Sequence, residues 1–371
     1  MNTIVAVRRC PEYDPDNVYN LISDIYKICS GPDVRNKKVL LKPNILTDCD
    51  PSKPVCTHPV VVEAMIRFLK DNGAKVYVGD SPAVHIRGFR PLKSGIYQIC
   101  NKTGAEWVDF TVKPSERQLG RGGKIKIASA LNEADIVISL PKLKNHELVY
   151  FTGAVKNTLG LVPGFSKAAQ HAFHHDRLSF SSFLVDLSES VTPDFFLMDG
   201  IIGMEGPGPG QGMPVRTEVL LGSSNPAAID IIASTIAGYD PLDITTTAIS
   251  LKRGRWLKNP DEIIIDGPDI KTLIRNDFRR IPISSNENIS FRFLKNRIRP
   301  LKKLERRPVF IHDKCTGCKA CIKICPANAI DMHAERKNYV VLTDSRCIRC
   351  YCCSEVCPDN AVEIKRKLFG E

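Results

Sequence analysis

An open α/β sheet of mostly parallel strands with helices on both faces, followed by a small cysteine-rich α+β domain, is the architecture this sequence predicts. Three observations carry it. Short apolar runs of strand length alternate with helical patterns over residues 1–270. The runs are continuously apolar, as strands covered on both faces must be. The remaining chain ends in a cysteine phrase written twice.

Taken in order, the strand-like runs are 3–7, 38–41, 75–78, 106–110, 136–140, 195–198, 218–221 and 262–265. Helical patterns fall between them, notably at 59–72, 94–103, 176–190 and 226–237. The first of these is the clearest, with Thr57 placed to cap its start and Gly73 to stop it. A domain over 1–270, a basic linker over 271–308 and a small domain over 309–371 follow from these patterns. The 371 residues, 43% hydrophobic, are enough to bury a full core in the larger domain.

The doubled phrase is specific. Cys315, Cys318, Cys321, Cys325 and Pro326 return 32 positions later as Cys347, Cys350, Cys353, Cys357 and Pro358. Asn328, Ala329 and Ile330 align with Asn360, Ala361 and Val362, so the unit is an internal duplication. This C-x2-C-x2-C-x3-C-P run is the ligand pattern of two [4Fe–4S] clusters in a bacterial-type ferredoxin, where the last cysteine of each run serves the other cluster. The expected ligand sets are Cys315, Cys318, Cys321 and Cys357 for one cluster, and Cys347, Cys350, Cys353 and Cys325 for the other. A disulfide framework suits short secreted chains, and Met1 opens a polar segment that is no secretory signal. Zinc ribbons lack the third cysteine and the trailing Cys-Pro. Cys352 breaks the symmetry and reads as a spare buried thiol. Fourteen cysteines without an export signal suggest a reducing, cytoplasmic setting.

The net charge of +11 does not point to nucleic acid. Residues 271–308 hold twelve Lys and Arg against three acidic residues, which accounts for nine of those charges. Residues 291–304 form a basic amphipathic run, interrupted by Pro300, that suits a linker docked between domains. An anionic membrane surface or an acidic redox partner are the alternatives. No apolar stretch approaches the length of a membrane span.

In open α/β sheets, ligands collect at the carboxyl ends of strands. Here those ends carry Lys42-Pro43-Asn44, Gly79-Asp80-Ser81, Lys142 through His146, and Asp199-Gly200. Each alone is an ordinary loop former. Together, Lys42, Lys142, Lys144 and Lys156 read as a cationic pocket for a carboxylate or phosphate. Lys156 and Asn157 sit among small residues that let backbone approach a ligand. His171, His174 and His175 suit a surface or substrate-facing role better than a metal site, because no acidic or cysteine partner stands beside them. Residues 199–213 are glycine-rich and read as a flexible loop, or as a lid carrying Asp199 and Glu205 as acid/base candidates. Cys49, Cys56 and His58 read as a plain loop before a metal triad, given Pro51 and Pro54 between them.

The strings Leu140-Pro-Lys-Leu-Lys-Asn-His146, Gly153-Ala-Val-Lys-Asn-Thr-Leu-Gly160 and Asp199-Gly-Ile-Ile-Gly-Met-Glu-Gly206 resemble a prokaryotic family known as domain of unknown function 362. Its members often carry a C-terminal two-cluster ferredoxin, and the resemblance implies an iron–sulfur protein without implying a reaction. A fainter similarity, through a Thr-x-Pro helix start and strand-end Lys and His, is to the N-terminal domain of nickel-pincer hydroxyacid racemases.

The leading expectation is an iron–sulfur oxidoreductase. It relays electrons from a redox partner protein to a small anionic substrate, with Lys142, Lys144, His146, Lys156 and Asp199 binding the anion and moving protons. A non-catalytic electron-transfer subunit with a docking domain is the alternative, and a metal- or cofactor-handling protein the third.

Overall fold

The structure, a computed structural model, describes residues 3–83, 87–120, 123–164, 166–174, 176–283 and 306–366. Its strands are β1 Thr3–Arg9, β2 Lys38–Pro43, β3 Lys75–Val78, β4 Glu106–Trp107, β5 Ser115–Gln118 and β6 Lys124–Ile127. They continue as β7 Ile136–Leu140, β8 Lys142–His146, β9 Tyr150–Phe151, β10 Phe195–Glu205, β11 Met213–Ser223 and β12 Ile263–Asp266. The last four are β13 Arg306–Phe310, β14 Ile330–Met332, β15 Val340–Leu342 and β16 Val362–Arg366.

One ten-stranded sheet runs in the order β12-β1-β11-β10-β7-β2-β3-β4, with β8 beside β10 and β9 beside β8. The pairs of β1 with β12, of β2 with β3 and β7, of β3 with β4, and of β10 with β7 and β8 are parallel. Successive residues enter different cores. Val39, Leu41, Ile138 and Leu197 face the helices Pro15–Ile28 and Pro59–Asp71, while Leu40 and Val137 face the helix Arg177–Ser190. Phe196 and Met198 meet a third cluster built on the helix Pro226–Ile236. Coverage on both faces is why these strands are continuously apolar.

Two local expectations need correction. The helix Pro59–Asp71 is capped by His58, whose Nδ1 accepts from Val60 N at 3.3 Å, not by Thr57. Thr57 instead donates to Leu140 O at 2.6 Å and accepts from Asn44 N at 2.8 Å, tying the ends of β7 and β2 together. The stretch from Asp199 to Glu205 is neither loop nor lid but a continuation of β10, paired through Glu205↔Met213. Its glycines answer to packing: a Cβ on Gly200 would stand 2.9 Å from Val219 Cγ2, and one on Gly203 3.1 Å from Leu143 O.

Leu273, Phe278 and Ile281, from the stretch expected to be linker, are buried against the α/β core, and Arg306 already belongs to β13. The amphipathic run at 291–304 lies outside the described residues. β13 pairs antiparallel with β16, and β14 with β15. Among the described residues, no helix is long and apolar enough to cross a membrane.

Candidate functional site

The duplication is written into the backbone of the small domain. Left-handed φ values recur 32 residues apart, at Gly317 (72°) and Arg349 (60°), Lys319 (62°) and Tyr351 (63°), and Asn328 (46°) and Asn360 (51°). These turns wrap each cysteine loop around a hollow. Cys315, Cys318, Cys321 and Cys357 line one cavity with Phe310, Val340 and Val362. Cys325, Cys347, Cys350 and Cys353 line the other with Pro308, Ile330 and Tyr351. Each set joins three cysteines of one run to the last cysteine of the other. Ala329 N points at Cys325 Sγ (3.3 Å) and Ala361 N at Cys357 Sγ (3.2 Å), donors of the kind that stabilise thiolate. Four soft sulfur donors in an apolar pocket fit an iron–sulfur cluster. Cys352 faces neither hollow. It is 4% exposed, packs on Ala168 and Ile324, and its thiol meets that of Cys350.

The small domain is seated on the carboxyl ends of the sheet by specific bonds. The glycine-rich turn between β10 and β11 reaches its helix Cys352–Glu355, with Gln211 Nε2 donating to Ser354 O at 2.8 Å. A Cβ on Gly210 would stand 2.9 Å from Glu355 O, so this approach needs glycine. Arg306 forks onto the buried Glu147 carboxylate. Glu355 Oε1 lies 3.2 Å from His146 Nε2. The other nitrogen of His146 accepts from Leu148 N (3.1 Å) and Val149 N (3.3 Å), which fixes the proton on Nε2, facing the carboxylate. Burial pushes the His146 pKa down to about 3. Burial alone would raise that of Glu355, but the His146 hydrogen bond with Lys156 and His171 nearby holds it at about 2.

Between the two domains lies a cleft of about 70 Å³. Asn44, Asp80, Thr152, Lys156, Lys167 and His171 line it from the α/β side. Ile324, Cys352, Glu355 and Val356 close it from the small domain. The four lysines expected to form one cationic pocket part company here. Lys42 donates to Pro43 O (3.0 Å) and Asn157 Oδ1 (3.2 Å) and forms an ion pair with Asp80 Oδ1 (2.8 Å). Lys142 is locked to Asp199 Oδ2 (2.6 Å) and Tyr13 OH (3.0 Å), away from the cleft. Asp199 is saturated in turn, accepting also from Tyr13 OH and the backbone of His58 and Ile201. Lys144 donates to Val55 O at 2.7 Å, and burial brings its pKa down to about 7. Lys156 alone of the four lines the cleft, and among the described residues its ammonium meets no hydrogen-bond acceptor.

Lys167 joins it, a residue sequence reasoning passed over. It donates to Ser81 O and to Pro82 O (2.8 Å), and burial brings its pKa to about 7. Its signal was the i, i+4 spacing to His171 on the helix Ser166–Phe173, which puts both on one helical face. His171 stacks on Phe180 at 4.1 Å, and burial lowers its pKa to about 4. His174 stacks instead on Phe183, with Nδ1 2.9 Å from Ser179 Oγ. His175 lies outside the described residues. Glu205 bonds Arg279 N and is not at the cleft. Cys49 and Cys56 meet thiol to thiol, but His58 turns away to stack on Tyr13 at 3.5 Å.

Fold and cysteine geometry together define the class: an iron–sulfur protein in which an α/β body carries a ferredoxin-type domain. A family model described as Domain of unknown function (DUF362) matches residues 39–235, and the 4Fe-4S dicluster domain model matches 314–361. The chain belongs to the DUF362 family. A curated relative, the Thylakoid-associated protein sll1697 of Synechocystis sp., is 30% identical over 271 residues, covering 70% of this chain and 84% of its own. Among solved structures, the lactate racemase apoprotein from Thermoanaerobacterium thermosaccharolyticum aligns with a TM-score of 0.44 at 14% identity. That alignment covers 63% of this chain and 57% of the racemase.

Proposed function

We propose that this chain is an iron–sulfur oxidoreductase that acts on a small anion held between its two domains. Two [4Fe–4S] clusters fit the cysteine sets Cys315, Cys318, Cys321, Cys357 and Cys347, Cys350, Cys353, Cys325, and when bound they supply single electrons. The observation that carries the reading is the composition of the cleft. One wall offers Lys156, which among the described residues meets no hydrogen-bond acceptor and has the Glu355 carboxylate as its main charge neighbour. The opposite wall joins Glu355 to Ile324, Cys352 and Val356, the outer surface of the second cysteine set.

Reduction of a bound anion consumes protons as well as electrons. Lys167, with a pKa near 7 and its side chain in the cleft, is suited to hold and release one. Burial lowers the pKa of Lys156, and an anion beside it would favour the charged form, so that ligand and ammonium stabilise each other in a water-poor site. His146 acts at one remove, by orienting Glu355. The donor of electrons is a separate redox protein, and a cytoplasmic setting is proposed with it.

The test is Lys156→Ala in anaerobically purified protein. Iron and sulfide content should stay at wild-type level, while the change that small oxyanions cause in the cluster EPR signal is lost. A variant that still responds to them like the wild type would show that the cleft is not the substrate site. Reversible cluster reduction with no anion response in either protein would favour a non-catalytic electron-transfer subunit instead.

A further inference from the structure

The cleft asks for more than negative charge. Among the described residues, five buried polar atoms on its lining residues lack a hydrogen-bond partner. Two of them, Asp80 Oδ1 and Glu355 Oε1, lie in ion-pair reach of Lys42 Nζ and His146 Nε2, which leaves Asn44 Oδ1, Thr152 Oγ1 and His171 Nδ1 bare. Thr152 is 3% exposed and His171 5%, so bulk water does not serve them. Groups left bare in this way are destabilising unless something else fills the site.

The orientation of Asn44 follows from its neighbours. Lys42 Nζ can only donate, and it donates to Asn157, so the atom of Asn157 facing it is the carbonyl oxygen. That same oxygen receives Asn44, which must therefore present its amide nitrogen there, at 3.0 Å. The far side of the Asn157 amide agrees, with Nδ2 donating to Ser139 Oγ at 2.9 Å. Asn44 Oδ1 is thus left as an acceptor without a donor, on a residue that lines the cleft. A ligand that offers only lone pairs satisfies Lys156 and leaves this oxygen bare. One that also carries a proton satisfies both.

Resting on the reading of the cleft as an anion site, we propose that its ligand is a small oxyanion that retains an O–H group. The anionic oxygens face Lys156 and Lys167, and the hydroxyl donates to Asn44 Oδ1, with Thr152 Oγ1 and His171 Nδ1 taking the remaining positions. The confined volume of the cleft suits a ligand of a few heavy atoms. A site built around such a donor rejects a look-alike that lacks it, because the acceptor is then left unpaired.

Two pairs of anions isolate that proton. Hydrogencarbonate and nitrate are both planar and singly charged, with the same number of non-hydrogen atoms, and only the first has an O–H. Hydrogen phosphate and sulfate stand in the same relation as tetrahedral dianions. Binding to the oxidised holoprotein is measured by calorimetry at about pH 8, where the bare site holds Lys167 largely neutral and the bound anion draws a proton back onto it, and the pair that binds also decides between the two shapes. In at least one pair the protonated member should bind about tenfold more tightly or better. In Asn44→Ala that ratio should fall towards one, and Asn44→Leu, nearly isosteric, provides a second variant should the first lose its fold. Equal affinity within both pairs overturns the proposal while leaving the anion site standing. Failure of all four anions to bind overturns the site and the proposal together. A tenfold ratio that survives in both variants places the donor contact elsewhere and overturns the assignment to Asn44.

Discussion

Lys167 shows how a buried charge becomes a pH-dependent property of the fold. Its side chain lies among Asp80, Lys42 and Lys156, and burial carries its pKa from 10.5 to about 7. The unfolded chain keeps the ordinary value, so between about pH 7 and 10 the unfolded state binds the extra proton and stability rises with pH. The slope is at most about 1.4 kcal/mol per pH unit from this one group. Below pH 7 the ammonium is charged in both states, and the folded state bears the whole cost of burying it. Lys167→Met should therefore be more stable than wild type at pH 6, by an amount that shrinks steadily towards pH 9. Urea denaturation at three pH values reads this directly, and a gap that stays constant would mean that Lys167 is not depressed.

At the level of elements, the glycine-rich turn between β10 and β11 has a task that composition alone does not reveal. Its spacing of Gly and Pro reads as a mobile lid, yet Gln211 and Gly210 are bonded or closely packed against the helix Cys352–Glu355. Gly210→Val should push this turn off Glu355 O and loosen the seat of the small domain. Small-angle scattering should report a larger radius of gyration, with cluster content unchanged; an unaltered curve would show that the turn bears no docking load. The same contrast marks what was legible in the sequence. Strand periodicity located the eight strands of the main sheet path, because continuous apolar runs such as 136–140 have no other stable home, but it passed over β8, whose Lys-Leu-Lys-Asn-His carries no apolar run. The cysteine sets were legible because thiol spacing is itself the chemistry. Lys142 and Asp199 looked like site residues because they follow strands, but their mutual burial is a tertiary event with no local signature. Glu355 was hidden for the opposite reason: it sits between ligand cysteines of one domain and acts on His146 of the other.

Across the whole molecule, the two cysteine sets differ in what surrounds them. Cys318 of the first set is exposed, whereas its counterpart Cys350 in the second is half-buried and packs with Cys352 beside the cleft. This polarity assigns directions. On the proposed function, an electron donor would meet the exposed end, and the cleft lies beside Cys352 at the other. A ligand in the cleft should therefore disturb the EPR signal of the cluster bound by Cys325, Cys347, Cys350 and Cys353 and leave its neighbour alone. Cys318→Ala, which damages the exposed set, should keep the ligand-induced change while slowing reduction by a protein donor, by roughly tenfold on the scale of a lost docking contact. A small chemical reductant should still reduce the remaining cluster at its usual rate, which separates access from assembly. Cys350→Ala should do the reverse, abolishing the ligand-induced change in a protein that still takes an electron at the exposed end. If the ligand response instead followed the exposed set, the path through Cys352 and the cleft would be wrong, and the α/β body would have to meet its anion at some other face.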